Sequence, residues 1–301
     1  MGARTYASRQ YRRVIKKLFP FFQRFGVHVV PNHYYEPVPD TSKLSEDTWS
    51  KRSALVGIDI GEKGQMELLA ELVSKFKREY DSFPKKKTAV PHEFSFENDS
   101  FGPVDAEVLY CMVRHLKPSK ILEIGSGNST YISAKAAVIN KEQGSDCELV
   151  CIEPFPNVVL RKGFPGLSRL IVRPMQEVPL AEFESLGEND ILFIDSSHTL
   201  KMGSDVQRIY LEVLPVLKKG VVVHIHDIFL PAEYPRQWVM EHRMFWNEQY
   251  LLQAFLTFNE RFRVLWAGSY MHLVHGEELG RAFKSFDPRK NRPGSFWMKR
   301  R

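Results

Sequence analysis

Two short runs gather the groups best suited to proton or metal chemistry. Phe193-Ile194-Asp195-Ser196-Ser197-His198 places an acid and an imidazole three residues apart. Val223-His224-Ile225-His226-Asp227-Ile228 places an imidazole directly before an acid. In both, the polar groups follow an apolar stretch that reads as a buried strand, so they fall where a strand gives way to a loop. Imidazole titrates near neutrality, which makes His198 and His226 candidate general bases, with Asp227 as a third candidate catalytic group. Asp195 and Asp227 offer a second route: acids at two strand ends can bind a divalent metal that lowers the pKa of a hydroxyl, and oxygen donors favour magnesium. His224 alternates with His226 along the strand and reads as a satisfied core histidine.

A third run, Ile121-Leu122-Glu123-Ile124-Gly125-Ser126-Gly127-Asn128-Ser129-Thr130, ends an apolar strand in an acid and then enters a tight Gly-x-Gly turn. Such a turn lets a nucleoside ligand touch backbone at the carboxyl end of a strand. Cys151-Ile152-Glu153-Pro154 ends the next strand, and a carboxylate there can accept hydrogen bonds from both ribose hydroxyls. Pro174-Met175-Gln176-Glu177 follows the third and offers an apolar wall and an amide to a flat base. A dinucleotide site normally has a third glycine three residues after the second; Thr130 stands there instead. Glu123 would repel a pyrophosphate but would suit the cationic ammonium and sulfonium of S-adenosylmethionine (SAM). The turn therefore argues for SAM over NAD.

The elements that must position these groups alternate regularly. Strands are expected at 120–124, 148–152, 169–173, 190–194 and 220–225, and helices at 129–139, 156–162, 203–217 and 246–258. Two closing strands, 262–267 and 269–274, would form an antiparallel hairpin around Gly268-Ser269. Repeated β-α units imply an α/β, Rossmann-like doubly wound sheet with ligands at its carboxyl edge. Further helices are expected at 65–80 and 104–116, separated by a linker containing Lys85-Lys86-Lys87 and Pro91.

Taken together, the three runs resemble the class I SAM-dependent methyltransferases, in particular a bacterial small-molecule or sugar O-methyltransferase branch with Glu-Ile-Gly-Ser-Gly, Phe-Ile-Asp-x-x-His and His-Asp-Ile motifs. The likeness covers about residues 100–275 and implies a seven-stranded sheet ending in a β-hairpin. It implies cofactor contacts from Glu123, Gly125, Ser126, Gly127, Glu153, Gln176 and Asp195, with Asp195 beside the methionine portion. Metal-using relatives usually carry a further Asp or Asn beside the second acid, whereas Ile228 follows Asp227 here. The metal-free base is thus the expected route, and no metal ligands are assigned. Aromatic and polar groups interleave in Tyr234-Pro235-Arg236-Gln237-Trp238 and Trp246-Asn247-Glu248-Gln249-Tyr250. That mix suits a polyhydroxylated acceptor, so the expected partner is a small molecule or glycan-type compound methylated at a hydroxyl.

The net charge of +6 is unevenly placed: residues 1–30 carry seven Lys/Arg and no acid, residues 281–301 carry eight against Asp287, and the middle is net acidic. The basic tails keep a nucleic-acid binder in view as an alternative, alongside an NAD-dependent oxidoreductase. The acidic middle and the lack of an Asn/Asp-Pro-Pro-Tyr motif argue against nucleic acid as the partner. Tyr11, Val14, Ile15, Leu18 and Phe22 recur at helical spacing among cations. This amphipathic helix is expected to pack its apolar stripe on the domain, with peripheral membrane contact by residues 1–24 as the other reading. Three sparse cysteines and no long apolar run point to a cytoplasmic protein. The expected organisation is an extension over 1–95 capping the substrate, a catalytic domain over 96–280, and a peripheral basic tail over 281–301.

Overall fold

The computed structural model describes residues 2–301, with side chains from Gln10 onward. The chain divides into two compact units. Residues 51–234 and 246–301 form one; residues up to 50 together with 235–245 form the other.

The larger unit is built on a seven-stranded sheet: β1 (Lys120–Ile124), β2 (Glu148–Ile152), β3 (Arg169–Ile171), β4 (Ile191–Ile194), β5 (Val222–Ile225), β6 (Phe262–Ala267) and β7 (Phe296–Arg300). Their order is β3-β2-β1-β4-β5-β7-β6, with β7 antiparallel to both of its neighbours and the first five strands parallel. The parallel strands are apolar at nearly every position because helices cover both faces. Ile121, Ile191, Phe193 and Val222 enter one core, while Leu122, Leu192, Ile194 and Val223 enter the other. The first core is closed by helices Glu62–Tyr80, Asp105–Leu116 and Asn128–Glu142; the second by the helical segment from Asp205 to Val216 and by Glu248–Leu256. A single π turn, Ile209–Val213, interrupts the segment expected as one helix over 203–217.

Three expectations are corrected. Residues 269–274 are not a strand: Gly268–Val274 is a helix, and the antiparallel partner of β6 is β7, 28 residues further along. Residues 281–301 are not peripheral. Phe296, Trp297 and Met298 are fully buried, and β7 bonds to β5 on one side and β6 on the other. The basic residues around this short apolar run gave it the look of a tail. Its backbone can nevertheless fill a central sheet position, because Arg300 and Lys299 lie at its half-exposed end. The extension does not run to 95: Leu69, Leu72, Phe76 and Tyr80 of Glu62–Tyr80 belong to the larger unit's core.

The smaller unit holds the helix Gly2–Gln23. Arg12 bonds to His33, Lys16 pairs with Glu36, and Arg236 pairs with Glu46. Ile15 and Phe22 are half-buried, but Tyr11, Val14 and Leu18 are exposed, so much of the stripe expected to be packed is bare. Among the described residues no helix is long and apolar enough to cross a membrane.

Two outcomes test this packing. Trp297→Ala should lower unfolding stability by about 3–5 kcal/mol in urea titration, as loss of a buried Trp does and loss of a peripheral tail residue would not. Glu107 is held between the Val104 N–H and the Ser285 hydroxyl, and burial pushes its carboxyl up to about 7. The folded state therefore keeps a proton that the unfolded chain releases near 4.5. Its stability contribution is complete below that pH and is lost as pH rises toward 7, by about 3 kcal/mol. Glu107→Gln should flatten that part of the stability–pH curve measured by thermal unfolding.

Candidate active site

The register of the parallel strands determines what meets at their carboxyl ends. Ile124 pairs with Ile152 and Ile194, and Ile194 pairs with Ile225. The next residues, Gly125, Glu153, Asp195 and His226, therefore stand in one row. Their backbone N–H groups continue the ladder: Gly125 to the Ile152 carbonyl, Asp195 to that of Ile124 and His226 to that of Ile194.

A cavity of about 390 Å³ opens on this row. Gly125, Glu153, Met175, Gln176, Asp195 and Ser196 contribute to its wall. Gly125 has φ +77°, and a Cβ there would overlap the Asp195 carbonyl oxygen, so the turn requires glycine. Glu153 accepts from the Ser126 and Phe155 N–H groups at 3.2 and 2.8 Å, which fixes the carboxylate at the cavity edge. Met175 is buried, and Gln176 reaches the Gly203 carbonyl at 3.3 Å. The Ser196 hydroxyl in this wall is buried without a protein partner.

Glu123 does not face the cavity as expected. It is fully buried beneath the turn, where it accepts from the Ser129 and Thr130 hydroxyls at 2.7 and 2.8 Å; Thr130 in turn accepts from the Gly127 N–H. The residue that replaces a third glycine thus ties the turn to the strand end. Burial pushes Glu123 up to about 8, with Asp195 and Glu153 adding to the rise, and its second oxygen has no partner. Ser126 and Gly127 contribute backbone bonds to the turn and lie outside the cavity wall.

Beside Asp195 the expected catalytic residues converge. His198 Nε2 lies 3.2 Å from Asp195 and 3.5 Å from Asp227, while its Nδ1 lies 2.9 Å from Glu248. His226 lies 3.7 Å from Asp195, 3.6 Å from Asp227 and 3.5 Å from Asp105. Burial opposes charge on both rings, but Asp195 and Glu248 push His198 up to about 10, and Asp227 and Asp195 hold His226 well above its usual value. Burial likewise disfavours the Asp195 carboxylate, yet the two imidazoles keep it well below the usual range. His198 and Asp227 have φ of 54° and 56°, a strain of about 1–3 kcal/mol each that the surroundings must hold. His224 is the core histidine expected: it stacks on Phe193, bonds to the Ser295 hydroxyl, and burial lowers it well below its usual pKa.

The sequence reading did not pair two acids with these histidines. Asp105 looks like an ordinary first-turn acid of its helix, but its carboxylate accepts from the Gly294 and Ser295 N–H groups beside His226. Glu248 was visible within the aromatic-polar run as an acceptor contact; it is instead fully buried against His198. Its neighbours serve structure as well. Trp246 packs on the His198 ring, Asn247 holds the Leu200 N–H, and Gln249 bonds to the Phe229 N–H and the Ala232 carbonyl. Asp195, His198 and Asp227 each offer a ligand atom within 4.8 Å of the others, a grouping able to hold a metal ion.

The strand order, the glycine turn and the acids at successive strand ends define a nucleoside-binding α/β enzyme of the methyltransferase type. A family model for a methyltransferase domain matches residues 122–228. An uncharacterized protein of Archaeoglobus fulgidus is 30% identical over 187 residues, which span 60% of this chain and 78% of that one. The chain belongs to the class I SAM-dependent methyltransferases and shares a family with the archaeal protein. Two solved structures are also similar: a Thermobifida fusca protein (13% identity, 84% of this chain and 96% of that one, TM-score 0.39) and an Anabaena variabilis SAM-dependent methyltransferase (11%, 83% and 100%, TM-score 0.33).

Gly125→Ala should weaken S-adenosylhomocysteine binding at least tenfold in isothermal titration and lower the melting temperature, because the added methyl must displace the Asp195 backbone.

Proposed function

We propose that this enzyme transfers the methyl group of SAM to a hydroxyl of a small-molecule or sugar-containing acceptor. The observation that carries the proposal is the convergence of Asp195, His198, His226 and Asp227 beside the cavity lined by Gly125, Glu153 and Gln176. The cavity volume falls within the range of roughly 300–1,000 Å³ usual for small ligands. Its wall favours a cation, because Glu153 and Asp195 both contribute carboxyl groups to it. SAM, with its sulfonium and ammonium, fits that donor set. In this reading Glu153 takes the ribose hydroxyls, Met175 and Gln176 bracket the base, and Asp195 lies at the methionine end.

The sulfonium is already activated, so the protein's task is to align the acceptor oxygen and remove its proton. The sequence favours a free histidine base. The surrounding charges support a second reading. Asp105, Asp195, Asp227 and Glu248 face two imidazoles, this pairing holds both rings toward imidazolium, and an imidazolium cannot accept a proton. Asp195, His198 and Asp227 would hold a divalent cation, which supplies a lowered pKa to a bound hydroxyl. Glu248 then orients His198 through Nδ1, and Asp105 positions His226.

Methyl transfer from labelled SAM into a small-molecule cell extract, with and without EDTA, tests both levels. Loss of transfer with EDTA and recovery with magnesium supports the cation; undiminished transfer supports the histidine base. Asp227→Asn should lower kcat by about 100-fold or more while leaving S-adenosylhomocysteine affinity within about threefold. Absence of S-adenosylhomocysteine binding by the intact protein would overturn the whole proposal.

A further inference from the structure

The helix Gly2–Gln23 has two apolar faces, and only one is covered. Ile15, Phe19 and Phe22 are half-buried; Phe19 stacks on His28, while Arg12 and Lys16 tie this side to His33 and Glu36. The second face consists of Tyr11, Val14, Leu18 and Phe21 and continues to Phe25 just past the helix end. Their spacing alternates three and four residues, so they form one stripe. All are exposed, Tyr11 by 60%, Phe21 by 56% and Phe25 by 71%. Arg13, Lys17 and Arg24, spaced by four and seven, run along one border of the stripe and are also exposed. No acid occurs in the first 30 residues.

We infer that this face docks on an anionic lipid surface, with the helix lying in the plane of the headgroups. An aromatic and aliphatic stripe gains by entering the acyl boundary, while a basic border meets anionic headgroups. The charges select this occupant. A second copy on the same face would bring like-charged borders together with no acid to pair them. A nucleic acid would satisfy the cations and leave the stripe wet. The inference concerns where the enzyme sits and does not depend on the proposed acceptor.

The test is cosedimentation of the full chain with vesicles of phosphatidylcholine alone, or with a third of that lipid exchanged for phosphatidylglycerol. Binding should be at least tenfold tighter to the anionic vesicles and should fall as NaCl rises from about 0.1 to about 0.5 M. The combined Arg13→Gln, Lys17→Gln and Arg24→Gln variant should lose about a hundredfold in affinity, at roughly fivefold per charge. The combined Leu18→Ser, Phe21→Ser and Phe25→Ser variant should lose binding even at low salt, while both variants keep the parent's S-adenosylhomocysteine affinity. Equal partition of the parent between the two vesicle types overturns the inference, and this comparison needs no variant. Undiminished vesicle binding by the apolar variant also overturns it. So does a dimer that the apolar variant abolishes, or salt-sensitive duplex DNA binding, if either occurs without vesicle binding.

Discussion

Parallel strand register is the constraint on which the site depends. Because Ile124, Ile152, Ile194 and Ile225 align across neighbouring strands, residues distant in the chain leave the sheet in one row. A slip of one residue in any pair would reverse the faces of every side chain in that strand and expose half of its apolar set. The cores on both sides of the sheet therefore hold the row in place. Hydrophobic packing of Ile121, Phe193 and Val222 on one face and Leu122, Ile194 and Val223 on the other sets where Asp195 and His226 emerge.

On that row the protein assembles a cluster that would be costly without compensation. Four carboxylates and two imidazoles lie largely out of water, where unpaired charge is strongly penalised. The imidazoles offset part of the repulsion, and His198 and Asp227 remain in left-handed backbone conformations because hydrogen bonds hold the loops on either side. The Asn247 and Glu248 N–H groups both bond to the His198 carbonyl, and the Ile228 N–H bonds to Gly294. Strain and crowded charge in one place are the marks of a functional site rather than of maximum stability.

The last strand joins fold and site. By pairing with β5 it carries Gly294 and Ser295 against Asp227 and Asp105, and a side chain at Gly294 would crowd the Asp227 backbone. The residues that complete the sheet thereby also fix the orientation of the acid that faces His226.

Much of this was legible in the chain. Strands β1, β2 and β4, the Gly125 turn, Glu153 and the two motifs ending in His198 and Asp227 are local patterns, and alternating β-α units limit the sheet to few topologies. What local pattern could not carry was partnership across long separations. The basic run ending at Arg301 looks peripheral until Trp297 is seen between β5 and β6. Glu123 looks like a ligand contact until Ser129 and Thr130 are seen to occupy it. Asp105 reads as an ordinary helix-start acid, and Glu248 as an acceptor contact, until the fold brings them to His226 and His198. The sequence alone determined the class of cofactor chemistry, because a tight turn after an acid-ended strand is a short-range property. Only the tertiary structure decided which acids surround the histidines, because burial and charge pairing arise between residues that meet only when the sheet closes.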